Sequence, residues 1–504
     1  MMRTPALSGA LLATSPLIFG TLARSASILF TDATIVTFND ETRKTQILEN
    51  ASLLVENDSI TGIYDSPPAH GHDVEVVNAS GKIITPGFID THHHMSQSVM
   101  KTLASNSTFV EYFQRYGDFS ALTQAITPEA KYLSSMMGAF ELLAAGTTTV
   151  LDHAQGSASF ASAEAILNAT LDSGLRNMHA FSVRDNIPNY TVADQMATLR
   201  TFSQDPRVLA NPLVEMGLAY DFFEGSPENV TRGLWDIVKS GNLSVITTHF
   251  ISGTWRIAGN PPTFLDSLGW LDSSVPVVFA HGTYINETDK EILRAKGHYI
   301  SIAVESEMHF GHTIPFADEI QDQGALAADT HFTFEGSMIS AARLWLQHTR
   351  LKYYTKLINS NQVPGTSPMS VDQAFYLATR AGALALRRPD LGVLRAGAKA
   401  DLVVFDGDSP NMVGWKDPVA AVILHSSIAD VEAVLVDGNW VKRDRKLTYK
   451  GHDDIKRRFK EAAKVVQQSF AEMQWPPLEG LFLNGTQIGQ TQRMDVLPGE
   501  GTGY

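Results

Sequence analysis

Residues 86–95 read Pro-Gly-Phe-Ile-Asp-Thr-His-His-His-Met, an apolar strand that runs into three successive histidines. Side chains alternate along a strand, so His92 and His94 project together while His93 points elsewhere. Two imidazoles on one face at the C-terminal end of a strand make half a metal site. In a barrel of parallel strands, that end is where chemistry is done. Paired histidines also arise as buried core residues satisfied by backbone carbonyls, so the rest of the chain has to supply the other ligands.

Similar strand ends follow. LSVITTHF (243–250) carries His249, VPVVFAHG (275–282) carries His281 and GALAADTHF (324–332) carries Asp329. Each could be a buried histidine bonded to a carbonyl, or an aspartate capping the next helix. With the His92/His94 strand these make four such ends in chain order, which are hard to explain that way. Between them, apolar runs such as RNMHAFSV (176–183), VEMGLAY (214–220) and YISIAVES (299–306) alternate with helical stretches such as EAKYLSSMMGAFELLAAG (129–146). Strands alternating with helices argue for a parallel sheet, and room for eight makes a closed (β/α)8 TIM-type barrel over 86–390 the natural α/β reading.

The flanks differ. Residues 26–85 and 391–447 are short alternating strands broken by Asn, Asp and Gly turns, expected to join as one small β-sandwich split by the barrel. Residues 448–504 hold an amphipathic helix, DDIKRRFKEAAKVVQQSFAEM, and a Gly-rich tail.

The chain has 504 residues and a formal charge of −15, which excludes a nucleic-acid partner that needs a basic face. It has no cysteine, so a zinc-cysteine site, a disulfide framework and a thiol nucleophile are excluded, and any metal sits on His, Asp or Glu. Residues 1–25 place Arg3 before an apolar stretch and small residues at Ala23 and Ser25, the pattern of a signal peptide. Ten Asn-x-Ser/Thr acceptors follow: Asn50, Asn57, Asn78, Asn106, Asn168, Asn189, Asn229, Asn242, Asn286 and Asn484. About three would be expected by chance. Together these predict a secreted glycoprotein, free of the membrane after cleavage. Asn106 and Asn286 follow strand ends and should border the mouth.

With these segments in place, the chain resembles the amidohydrolase superfamily, in the branch of cytosine deaminase, guanine deaminase and the triazine hydrolases. PGFIDTHHHM looks like that family's first-strand metal motif, AAGTTTVLDH (144–153) its second strand, AHGTYINETDKEI (280–292) its sixth, and VLRAGAKADLVVFD (393–406) the returning sandwich strand. The resemblance implies one divalent ion, zinc or iron, held by His92, His94, His249 and Asp329. His281 would hold the attacking water or the developing oxyanion, and Asp329 would move the proton. VEMGLAY has no lysine where binuclear relatives carry one, which favours a single metal.

One departure matters. Deaminases of this branch carry His-x-x-Glu on the fifth strand, and here the segment is His249-Phe250-Ile251-Ser252. Serine cannot replace a carboxylate as proton shuttle at neutral pH. Glu305 and Glu307, at the end of the seventh strand in ISIAVESEMHFGH and facing the same way by alternation, are candidate replacements, with His309 and His312 beyond them. Solvated loop residues are the alternative. His153 is a candidate substrate contact, and Thr330 and His331 line the mouth if their loop turns inward. The expected activity is hydrolysis at an sp² carbon of a small cyclic substrate by metal-bound hydroxide, as C–N cleavage of a cyclic amide or amino-substituted ring. A metal-dependent lyase such as a decarboxylase and a catalytically silent secreted binding protein are the alternatives. A homodimer is compatible with the sequence.

Overall fold

The computed structural model describes residues 27–475 apart from 186, 254, 256–258 and 313–316, together with 481–482 and 486–487. The expected leader and the acceptor Asn484 lie outside the described residues.

Five strands precede the barrel: β1 (Ile28–Asn39), β2 (Lys44–Glu56), β3 (Ser59–Tyr64), β4 (Glu75–Asn78) and β5 (Lys82–Pro86). Eight barrel strands follow: β6 (Phe88–His93), β7 (Thr147–Ala154), β8 (Arg176–Val183), β9 (Val214–Tyr220), β10 (Val245–Ile251), β11 (Val277–Thr283), β12 (Tyr299–Ile302) and β13 (Gly324–Leu326). Four return outside it: β14 (Leu402–Asp406), β15 (Val431–Val436), β16 (Asn439–Arg443) and β17 (Lys446–Leu447).

The two flanks pair as expected, in one continuous nine-stranded mixed sheet. Their junction is antiparallel β5 against β14, with Ile84 opposite Val404. Only one residue, Gly87, separates this sheet from the barrel. A Cβ there would collide with the Thr148 side chain, so the chain passes between the two sheets only with hydrogen at that position.

The barrel strands run parallel in sequential order. Their side chains are buried on both faces, as a sheet wrapped in helices requires. Helix starts are set by local capping: Thr127 accepts from Ala130 N ahead of helix Pro128–Ala144, and Asn286 with Asp289 forms a reciprocal box ahead of Glu287–Lys296. Ile89, Leu151, Met178, Val245 and Val278 fill the barrel's lower interior together with Ala383 and Leu386 of the returning chain. Closure is made at the top, where Asp329 N donates to His92 O at 3.0 Å and His94 N donates to Asp329 O at 2.8 Å. The residues predicted to hold a metal are thus also the seam of the barrel.

After β17 comes helix His452–Glu472, over nearly the whole stretch expected from its amphipathic pattern. One expectation fails. Residues Val304–His309 leave β12 as a short helix rather than a continued strand, so alternation does not apply to Glu305 and Glu307. Helical positions two apart point in divergent directions.

Candidate metal centre

His92 and His94 stand at the end of β6 with their rings 4.7 Å apart. His249, from β10, lies 4.7 Å from the His92 ring, and His281, from β11, lies 5.6 Å from it. Asp329 completes the group, its Oδ1 3.6 Å from His92 Nε2 and 3.4 Å from His94 Nε2. His281 and Asp329 both hold left-handed backbone, φ 74° and 69°. Non-glycine residues rarely adopt it, and the cost is tolerated where the fold must aim a side chain. His93 points away, as alternation requires, and its Nδ1 pairs with Asp90 Oδ2 at 2.7 Å.

The donor set fits a divalent cation. His92 is fully buried, and neither of its nitrogens has a hydrogen-bond partner among the described residues. Burial, reinforced by the crowded imidazoles, holds His92 and His94 well below the usual histidine range, so both are neutral with lone pairs available. His94 donates Nδ1–H to the His153 carbonyl at 3.0 Å, leaving Nε2 turned toward Asp329. Such a second hydrogen bond fixes the tautomer of a metal-binding histidine. One donor atom each from His92, His94 and Asp329, and likewise from His92, His249 and His281, come within 4.8 Å of one another.

Sequence reasoning passed over Asp221, one residue beyond β9. Its Oδ2 accepts His249 Nδ1–H at 2.9 Å, and its Oδ1 accepts the His249 backbone N–H at 2.7 Å. Burial would raise this carboxyl, but His249 and His153 override it and hold it well below the usual range. Asp221 is therefore an anion that turns His249 Nε2 toward the cluster. The available signal was positional, an acid directly after an apolar barrel strand. His153 lies behind this pair, with Nε2 3.4 Å from Asp221 Oδ2, and is buried.

The two glutamates separate. Glu307 is buried, accepts the Ala303 backbone N–H at 3.1 Å and brings Oε1 within 3.4 Å of His281 Nδ1. Burial raises its carboxyl, and His281 partly offsets this. Glu305 is half-buried on the other side of the same turn, where burial and Glu335 raise it. Neither lines the cavity. His309 bonds to the Ala104 carbonyl at 3.2 Å. His312 does line it, 4.9 Å from the His281 ring, with both nitrogens unpartnered among the described residues. Thr330 turns inward and bonds Gln97 at 2.6 Å, whereas His331 lies buried against His93.

The cluster opens into a cavity of about 530 Å³ whose walls include Phe109, Tyr112, Phe113, Phe222, Phe310 and Phe332. The aromatic rings share the wall with polar and charged groups, among them Gln97, Gln155 and Arg184, so the cavity suits a small molecule with both an apolar body and polar substituents.

Curated proteins similar to this chain include a 5-methylthioadenosine/S-adenosylhomocysteine deaminase of Acetivibrio thermocellus, 24% identical over 398 residues, covering 78% of this chain and 88% of the relative. A 5'-deoxyadenosine deaminase of Methanobrevibacter smithii is 24% identical over 439 residues, covering 83% and 93%. Among solved structures, the atrazine chlorohydrolase of Arthrobacter aurescens TC1 complexed with zinc superposes with TM-score 0.71 at 19% identity, covering 86% of this chain and all of that one. Guanine deaminase from C. acetobutylicum gives 0.70 at 16% identity, covering 82% and 99%. The model of the amidohydrolase family matches residues 83–441, from the strand before the first histidines to the returning sheet. With the ligand-bearing strand ends, a barrel sealed at Asp329 and the β5–β14 junction of the flanking sheet inside that match, the chain belongs to the amidohydrolase family.

Proposed function

We propose that this chain is a secreted, zinc-dependent hydrolase that cleaves a C–N bond at an sp² carbon of a small, flat ring compound, either an amino-substituted ring or a cyclic amide. The observation that carries the proposal is the histidine cluster with Asp329 at the floor of an aromatic cavity of about 530 Å³. The deaminases among its relatives and the zinc bound by structural neighbours support it.

His92, His94, His249 and Asp329 would hold the ion. When bound, it supplies Lewis-acid activation of water at neutral pH. Asp329 takes a proton from the attacking water and returns it to the departing nitrogen. His281, steadied by Glu307, stabilises the charge that develops on oxygen. The phenyl groups stack on the substrate ring and exclude bulk water. Asp221 stays ionised and holds His249 in place, so it is no substitute for the fifth-strand glutamate as an acid. His312, a neutral imidazole beside His281, is placed to hold the substrate by a hydrogen bond, while the proton for the leaving nitrogen comes from Asp329.

Secretion draws support from the acceptor asparagines. Of the nine described, Asn50, Asn57, Asn78, Asn106, Asn189, Asn229, Asn242 and Asn286 are exposed, and Asn168 is half-buried against Arg207.

The test is zinc-loaded protein screened against aminated heterocycles, adenine nucleosides and cyclic amides, with ammonia or amine release as the readout. His281→Gln is expected to retain zinc and lose about 10²–10³ in kcat. Carbon dioxide as the product, or unchanged turnover in that variant, would overturn the assignment. Intact mass before and after deglycosylation of protein secreted from a eukaryotic host tests the localisation, and an unmodified mass counts against it.

A further inference from the structure

The cavity wall at the end of β8 carries charge that the reaction above does not use. Arg184 directly follows that strand, is 4% exposed and lines the cavity. Its Nη1 lies 3.1 Å from Asp118 Oδ2, an oxygen that already accepts the Gly156 N–H at 2.8 Å. Neither Nη1 nor Nη2 has a well-directed acceptor among the described residues. A guanidinium presents five donors in a rigid fork suited to a two-oxygen acceptor, and here the fork is largely unused.

A second cation stands behind it. Lys131, 1% exposed, reaches from helix Pro128–Ala144 to lie beneath Gly156, where any Cβ would collide with its ammonium. Burial brings it down to about 8, with Asp118 opposing and Arg184 adding to the fall, so it is charged at neutral pH. Two buried cations therefore face one buried carboxylate, in a chain whose net charge is −15. Of the cavity's other carboxylates, Asp221 is engaged by His249 and Asp329 by the cluster, and Glu224 is exposed to solvent. Buried charge is costly unless paired, and the open side of this wall is the cavity.

The geometry also sets a direction. β8 and β12 are four places apart in a ring of eight, so Arg184 stands across the mouth from the segment carrying His312. A flat ligand between them has Phe109, Phe113 and Phe222 along its faces and the cluster below.

We propose that Arg184, backed by Lys131, forms a subsite for a carboxylate group carried on the flat substrate, so that the enzyme takes aromatic or heteroaromatic carboxylates in preference to their neutral counterparts. The orientation of the reacting carbon rests on the C–N hydrolase assignment. The carboxylate preference is a binding property and is read without turnover.

Calorimetry on the zinc-loaded full chain would compare benzoate and nicotinate with benzamide and nicotinamide. The carboxylates are expected to bind at least about tenfold more tightly. Arg184→Met should abolish that preference while leaving carboxamide binding unchanged, and Arg184→Lys should restore part of it. Because Arg184→Met strands Asp118, the double variant R184M/D118N, which removes both charges, guards against a folding defect. No preference in the wild type overturns the proposal, as does a preference that survives in the double variant, which would assign the carboxylate to the bound ion. A preference lost with Arg184 in a protein that releases no amine from any substrate would keep the subsite and remove the assigned reaction.

Discussion

Asp221 shows how one residue decides the chemistry of another. By accepting Nδ1–H of His249 it leaves Nε2 as the only lone pair that ring can offer, and it does so as an anion held among two histidines and a backbone N–H. Carboxylate partners of this kind raise the basicity of a metal-binding imidazole and fix its orientation, and their loss costs about 10–100-fold in metal affinity or activity. Asp221→Asn keeps the size and one accepting oxygen but removes the charge. Its zinc affinity, measured by competition with a chromogenic chelator, should fall by that factor, and the chelator should inactivate it at correspondingly lower concentration. Unaltered affinity would show that His249 needs no such partner.

At the scale of elements, the segment after β12 matters most. As a strand it would have aimed Glu305 and Glu307 into one space. As the helix Val304–His309 it sends Glu307 inward to His281 and leaves Glu305 half-exposed near Glu335. Two equivalent candidates become one positioning residue and one bystander. Glu307→Gln retains an oxygen for Ala303 N but takes the negative charge from His281. It should lower kcat by about tenfold or more with zinc content unchanged, whereas Glu305→Gln should turn over like the wild type. Steady-state kinetics with metal analysis on both variants separates the cases, and equal losses would contradict the structural division. The preceding residues hide this outcome. ISIAVES is apolar and alternating up to the point where the chain turns, and nothing in its local pattern distinguishes a strand that continues from one that stops.

Over the whole molecule, the barrel and the flanking sheet are joined by a buried ion cluster at the end opposite the site. Arg176, at the start of β8, donates to Asp401 through Nε at 2.9 Å and to Asp437 through Nη2 at 2.8 Å, and Lys399 stands 3.4 Å from Asp437. Removing one partner of a buried charge network leaves carboxylates without compensation. Arg176→Met should therefore cost about 3–5 kcal/mol in chemical denaturation, and a change below about 1 kcal/mol would mean the sheet docks by its apolar contacts alone. Much was legible along the chain alone: the alternation of strands and helices, the split β module, and His92, His94, His249, His281 and Asp329 as the groups at strand ends. These were legible because short apolar runs alternating with helical stretches are local patterns, and a parallel barrel carries every strand's C-terminal end to one face. Tertiary structure alone decided the rest. Asp221 acquires its role from a histidine 28 positions later, Glu307 from a turn that breaks the strand, and Arg184 from a carboxylate far back in the chain and a lysine beneath it. Such pairings depend on which residues the closed barrel brings within hydrogen-bonding distance, and no periodicity along the chain encodes that distance.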